Sequence, residues 1–268
     1  DLSWFIYDYI GKRQSIDLKI KKTGENNFLV SEKNNIDLPY SVGLLKNDSI
    51  VYSKIYSKTG KIELPEVDFD FIAVNPSIKL PEFNRNNNWI YNKSKSNLKP
   101  LKFRFIGDLE NPKYRNIFYR PEVTYNLYDG ISPGINLINR GIKNRPLSFE
   151  IFTQYASKEE ALVGSMNFRY QLNNEIKDNY STLFNLFYTT NHYNENLRYQ
   201  VFSPSILINF RDNKNLRSKI KRSISLSMFN VNKENNTLDK NSLNKYSIYN
   251  LGYFYSDIGI IKYLNTSA

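Results

Sequence analysis

The sequence predicts an all-β protein: a small β-sandwich followed by an antiparallel sheet of the outer-membrane barrel type, incomplete within these residues. Three observations lead there. The first eighty residues carry short alternating runs broken by turn formers, the texture of a sandwich. Beyond residue 100 the alternating segments lengthen to about ten residues and end in Tyr or Phe, the signature of strands that cross a membrane. Finally, 15% of the 268 residues are aromatic, among them 21 Tyr and 17 Phe. With 40% hydrophobic residues the chain is too apolar for disorder, and at a mean hydropathy of −0.55 it is too polar for a bundle of membrane helices.

Residues 1–12 are expected to form a docking helix. Trp4, Phe5 and Ile6 with Tyr9 and Ile10 fall on one helical face. The chain opens inside this amphipathic segment, so it reads as the end of an upstream domain and the whole as a fragment of something longer. Residues 13–80 carry candidate strands at 16–20, 28–30, 49–52, 61–64 and 70–74, with turn residues at Thr23-Gly24, Lys46-Asn47-Asp48, Thr59-Gly60 and Asn75-Pro76. Residues 81–100 are rich in Asn, Lys and Ser and read as a linker.

Residues 101–268 are the barrel-like domain. At 117–127 the odd positions Ile117, Tyr119, Val123, Tyr125 and Leu127 oppose Arg120, Glu122, Thr124 and Asn126. The same sorting recurs at 147–155, 161–172 and 220–228, and less cleanly near 180–190, 197–210 and 245–255. Charge on one strand face and aromatics on the other point to a wet interior and a lipid-facing exterior. The residues proposed to face lipid are Tyr119, Val123, Tyr125, Leu147, Phe149, Ile151, Phe168 and Tyr170. About eight strands are expected from residue 117 onward, and a new apolar start at 258–261 suggests a barrel continued elsewhere.

Composition removes most enzyme chemistry. There is no Cys and a single His, and Lys and Arg exceed Asp and Glu by 37 to 26, a net charge of +11. Thiolate sites, thiol nucleophiles and zinc sites built on two or three imidazoles are excluded. No phosphate-loop, dinucleotide or HExxH string is present. His192, in a polar strand end or loop, is expected to be solvated. Asp68 and Asp70 flank Phe69 and read as the solvent face of a sandwich strand rather than as a calcium or acid–base pair. Glu159 and Glu160 fall in a turn. The basic run 211–222 reads as a charged turn rather than a phosphate site, which argues against a nucleic-acid partner. No catalytic, cofactor-binding or metal-binding residue is expected within this chain.

Several strings carry a family resemblance. Asp1-Leu2-Ser3-Trp4-Phe5 with Tyr9-Ile10 resembles the segment that closes the catalytic region of aminopeptidase-N-like zinc metallopeptidases, the gluzincins. Leu80-Pro81-Glu82-Phe83-Asn84, Lys99-Pro100-Leu101-Lys102-Phe103-Arg104, Tyr125-Asn126-Leu127-Tyr128-Asp129-Gly130 with Pro133-Gly134, and Phe210-Arg211-Asp212 with Leu216-Arg217-Ser218 are similar to a Gram-negative bacterial group of that family. In that group the catalytic region is followed by an immunoglobulin-like sandwich and a β-rich, barrel-like part. The resemblance implies that zinc and its ligands belong to a domain upstream of Asp1, that this chain is inactive alone, and that it anchors the peptidase to the outer membrane of a Gram-negative bacterium. The implied partners are outer-membrane lipid and the upstream catalytic domain. Two rival readings stay open. One is a soluble basic all-β module that binds an acidic polymer, and the other is an outer-membrane barrel or adhesin with no peptidase.

Overall fold

A computed structural model describes the chain apart from residues 1, 13–14, 25, 83, 94–97, 106–109, 142–144, 175–177, 212–217, 236–243, 259–262 and 268. Half of the basic run 211–222 and most of the apolar segment 258–261 therefore lie outside the described residues. The chain is nearly all β and divides into two compact units, Asp1–Lys102 with Glu110–Asn116, and Phe103–Leu109 with Ile117–Ala268.

The first unit opens with a helical segment, Trp4–Gly11. Its apolar groups do not act as one face: Trp4 and Tyr9 pack on the core, while Phe5, Ile6 and Ile10 stay exposed. Among the described residues seven strands follow: β1 (Leu18–Lys22), β2 (Asn27–Glu32), β3 (Tyr40–Lys46), β4 (Ser49–Tyr56), β5 (Gly60–Glu63), β6 (Phe71–Val74) and β7 (Trp89–Tyr91). They form two antiparallel sheets, ordered β1-β2-β5 and β4-β3-β6-β7. Alternation places Leu18, Ile20, Phe28, Val30 and Ile62 of one sheet against Val42, Leu44, Ile72 and Val74 of the other in a single core. Strand β6 is buried on both sides, because Phe71 and Ala73 enter a second cluster with Leu45 and Trp89.

Two of these strands were not expected from the sequence. In β3 the run Val42, Gly43, Leu44, Leu45 is buried throughout, so it has no period of two to betray it. Strand β7 lies inside 81–100, which is not an open linker. Glu82 accepts hydrogen bonds from the Leu18 amide (3.1 Å), from Asn75 Nδ2 (2.7 Å) and from Asn88 Nδ2 (2.8 Å), and Lys99 donates to the carbonyls of Asn86 and Pro112. Buried polar groups of this kind persist only when their partners are supplied, and the Asn-rich stretch supplies them. The first unit accordingly runs past residue 80.

The second unit is one sheet in chain order: β8 (Leu101–Phe105), β9 (Arg115–Asn126), β10 (Gly130–Ile138), β11 (Leu147–Ala156), β12 (Ala161–Asn173), β13 (Asn179–Asn194), β14 (Leu197–Phe210), β15 (Ile220–Lys233), β16 (Lys245–Ile258) and β17 (Tyr263–Ser267). From β9 onward each strand pairs antiparallel with the next. The string 128–130 is a tight turn made possible by Gly130 at φ 72°, a conformation that favours glycine. Among the described residues the edge strands β8 and β17 do not pair with each other.

Candidate functional site

Register decides which side chains share a face of the long sheet, because directly paired residues point the same way. Tyr119 pairs with Leu137, Leu137 with Ile151, Ile151 with Met166, Met166 with Tyr188 and Tyr188 with Phe202. A second row runs Leu147, Tyr170, Phe184, Ile206, Leu226, Leu251. All eight residues expected to face lipid lie on this one face. Phe149 and Phe168 are direct partners with ring centroids 6.1 Å apart, and Leu147 is opposite Tyr170. Tyr119, Phe149 and Ile151 are half-buried among their neighbours, and the other five are exposed.

The opposite face carries a hydrogen-bonded polar network over β9–β11, with Phe118, Val163, Val201 and Val231 buried on the same side. Asn136 Nδ2 donates to Glu150 Oε1 at 2.9 Å, Arg120 bridges to Glu122, and Gln154 Nε2 reaches Thr124 Oγ1 and the Ser132 carbonyl. Gln154 crosses over Gly134, where a Cβ would stand 2.5 Å from Gln154 Cγ. Burial is therefore inverted relative to a water-soluble sheet. Ser132, Asn136 and Gln154 are buried at 2%, 4% and 6% exposure, whereas Val123 and Tyr125 are 70% exposed. In the first unit the ordinary order holds, with Leu, Val and Ile at or near zero exposure.

The apolar run also drifts steadily from strand to strand. One row of direct partners reads Pro121, Ile135, Thr153, Gly164, Thr190, Gln200, Asn232, Lys245. It passes through the middle of the apolar run in β9, at 119–125, and ends in polar residues beyond the run in β16, at 249–255. The midpoint of the run thus moves about eight residues over seven ladder steps. At about 3.4 Å per residue and about 4.8 Å per strand, the displacement is about 27 Å along the strands for about 34 Å across them. A level apolar band then requires strands tilted about 40° from its normal, within the range of membrane barrels. Tyr125, Tyr155, Phe202, Phe210 and Tyr255 lie at the limits of this band, where interfacial aromatics belong.

The remaining candidates fall out differently. His192 is not solvated: it is 6% exposed, with Nδ1 2.6 Å from Asp129 Oδ1. Its polar sequence context belongs to the polar end of the sheet, and the partner is 63 residues away, beyond any local pattern. Asp68 and Asp70 each meet a lysine, Lys46 at 2.6 Å and Lys93 at 2.5 Å, and the hydrogen bonds from these lysines hold both carboxyls below their ordinary range. Two separately neutralised carboxylates make no acid–base pair. Glu159 sits in the β11–β12 turn and accepts the Asn196 amide. Among the described residues no cluster of metal-ligating side chains occurs, and no helix is long and apolar enough to cross a membrane. No family model, curated protein or solved structure matches the chain.

Proposed function

We propose that the long sheet is a membrane-embedded anchor and the first unit the element it holds at the membrane surface. The oblique apolar band carries this reading. A sheet exposed to water gains by burying Val123, Tyr125, Leu147 and Phe168, and it loses by burying Asn136 and Gln154. A sheet in lipid gains by the reverse arrangement, and only a tilted sheet needs a band displaced along successive strands.

On the motif resemblance, the anchored cargo is the zinc-dependent catalytic domain of an aminopeptidase-like metallopeptidase, placed upstream of Asp1, and the membrane is the outer membrane of a Gram-negative bacterium. The chain contributes no residue to that chemistry. A reading frame that extends upstream into an HExxH sequence supports this cargo, and one that extends into an unrelated sequence removes it while leaving the anchor intact.

The anchor itself is tested by refolding the full chain with and without detergent micelles, followed by far-ultraviolet circular dichroism and heat-dependent gel mobility. Cooperative β-structure of the long sheet only in micelles is expected. A folded, monodisperse chain in plain buffer overturns the anchor, and steeply salt-dependent binding to an acidic polymer would then mark a soluble basic module.

A further inference from the structure

The first unit presents an edge that its own sheets leave unfilled. Strand β4 is the edge of its sheet, its longest strand at eight residues, and exposed along most of its length. Ile55 is 71% and Ile50 47% exposed. Free edges are templates for another strand. The two sides of β4 differ chemically. Tyr52, Lys54 and Tyr56 pair with the buried Leu44, Val42 and Tyr40 of β3, and so lie on the side turned toward the other sheet, whereas Ile55 and Ser53 pair with Ser41 and Gly43 on the outer side. On the inner side a groove of about 550 Å³ opens between β4 and β5, lined by Lys54, Tyr56 and Lys61 among others. The Tyr56 hydroxyl is shielded from solvent with no hydrogen-bond partner among the described residues. The ammonium of Lys54 sits 5.2 Å from the Tyr56 ring. Among the described residues Glu63 is the one acidic residue on this lining.

We infer that the β4 edge docks an extended segment of a partner polypeptide in which acidic and apolar residues alternate. The added strand pairs its backbone with β4, turns its carboxylates toward Lys54 and Lys61, and lays its apolar side chains beside Ile55 and Ile50. Strand addition draws affinity from main-chain bonds and specificity from alternate side chains, and both sides of this edge match that division. A second copy of the chain is the poorer occupant, because two β4 edges bring lysines together and like charges across a strand pair repel. The inference concerns the first unit and does not rest on the membrane reading.

The test is fluorescence anisotropy on the full chain with two labelled peptides, one alternating Glu and Val and the other alternating Lys and Val. The expected result is binding of the Glu peptide about ten-fold or more tighter than the Lys peptide, with new hydrogen-exchange protection in β4. In Lys54→Glu/Lys61→Glu the preference reverses, and in the milder Lys54→Gln/Lys61→Gln it is lost while Trp89 fluorescence stays native. Equal affinity for both peptides, no binding of either, or a preference that survives both variants overturns the inference. So does a concentration-dependent dimer that protects β4 without peptide, which gives the edge to a second copy.

Discussion

Asp129 and His192 meet across the sheet, carboxylate Oδ1 to imidazole Nδ1 at 2.6 Å, with side chains 3% and 5% exposed. Asp129 follows β9 in the turn to β10, and His192 is in β13. In a flat sheet the three ladder steps from β10 to β13 span about 14 Å. Asn126 of β9 also reaches β13, donating from Nδ2 to the His192 carbonyl at 3.3 Å and to Asp129 Oδ2 at 2.9 Å. The sheet is thus curled at this end, and the Asp129–His192 pair ties the curl.

Breaking that tie leaves a buried polar group without its partner, at a cost of about 1–3 kcal/mol. Asp129→Ala and His192→Ala are each expected to lower the midpoint of heat-dependent unfolding in micelles. The double variant should cost less than the two singles added, since they remove one shared interaction. Additive losses would show that the two residues act separately.

Depth in the band sets the next expectation. Ile151 lies at the centre of the apolar run in β11, and Tyr125 lies at its limit in β9. Ile151→Arg should cost about 2–4 kcal/mol of stability in vesicles and Tyr125→Arg about 0–1 kcal/mol. Ser225→Arg, on the polar face, should change it little. Denaturant titration of the refolded protein reads all three, and equal costs at Ile151 and Ser225 would contradict the assignment of faces.

Gly134 makes room for Gln154 to reach Thr124 and Ser132. Gly134→Ala puts a Cβ 2.5 Å from both Gln154 Cγ and the Thr153 carbonyl oxygen, and overpacking of this kind costs about 1–3 kcal/mol. Adding Gln154→Ala should restore part of the loss, because the backbone contact remains. Full tolerance of Gly134→Ala in a melting measurement would show that the strands shift freely here.

In the first unit, burial holds the Glu82 carboxyl above its ordinary value, against the opposing pull of its Asn88, Asn75 and Leu18 hydrogen bonds. A raised carboxyl binds its proton more tightly folded than unfolded. Its contribution to stability is therefore complete below the ordinary carboxylate range and is lost as the pH rises through the raised value. The stability difference between the natural protein and Glu82→Gln should shift in favour of the variant over that rise. Both Trp residues, Trp4 and Trp89, lie in the first unit, so their fluorescence during unfolding at a series of pH values measures it. A difference that is flat with pH would remove Glu82 as the cause.

What could be read from the chain follows how locally each feature is encoded. Strands with one wet and one dry face, such as 117–127 and 161–172, alternate and reveal both their existence and their orientation. Strand β3, buried on both sides, does not alternate, and β7 is three residues inside a polar stretch whose Asn side chains serve Glu82 rather than solvent. The set that shares the apolar face was legible because each member belongs to an alternating run. The drift of the band was not, since it exists only in the register between strands. The Asp129–His192 pair was hidden for the same reason, its members being joined by curvature and not by sequence.

Because the natural chain has no Cys, any single cysteine is a unique labelling site, and a spin-label scan tests the central claim directly. Labels at successive positions of β9, β11 and β14 in vesicles are compared for collision with oxygen, which concentrates in lipid, and with a water-soluble nickel chelate. Oxygen access should peak at Tyr119, Val123, Leu147, Phe149, Ile151 and Ile206 and alternate with nickel access at Glu122, Glu150 and Ser205. The deepest position in each strand should follow the oblique band. Nickel access at every position of both faces would contradict a membrane-embedded sheet.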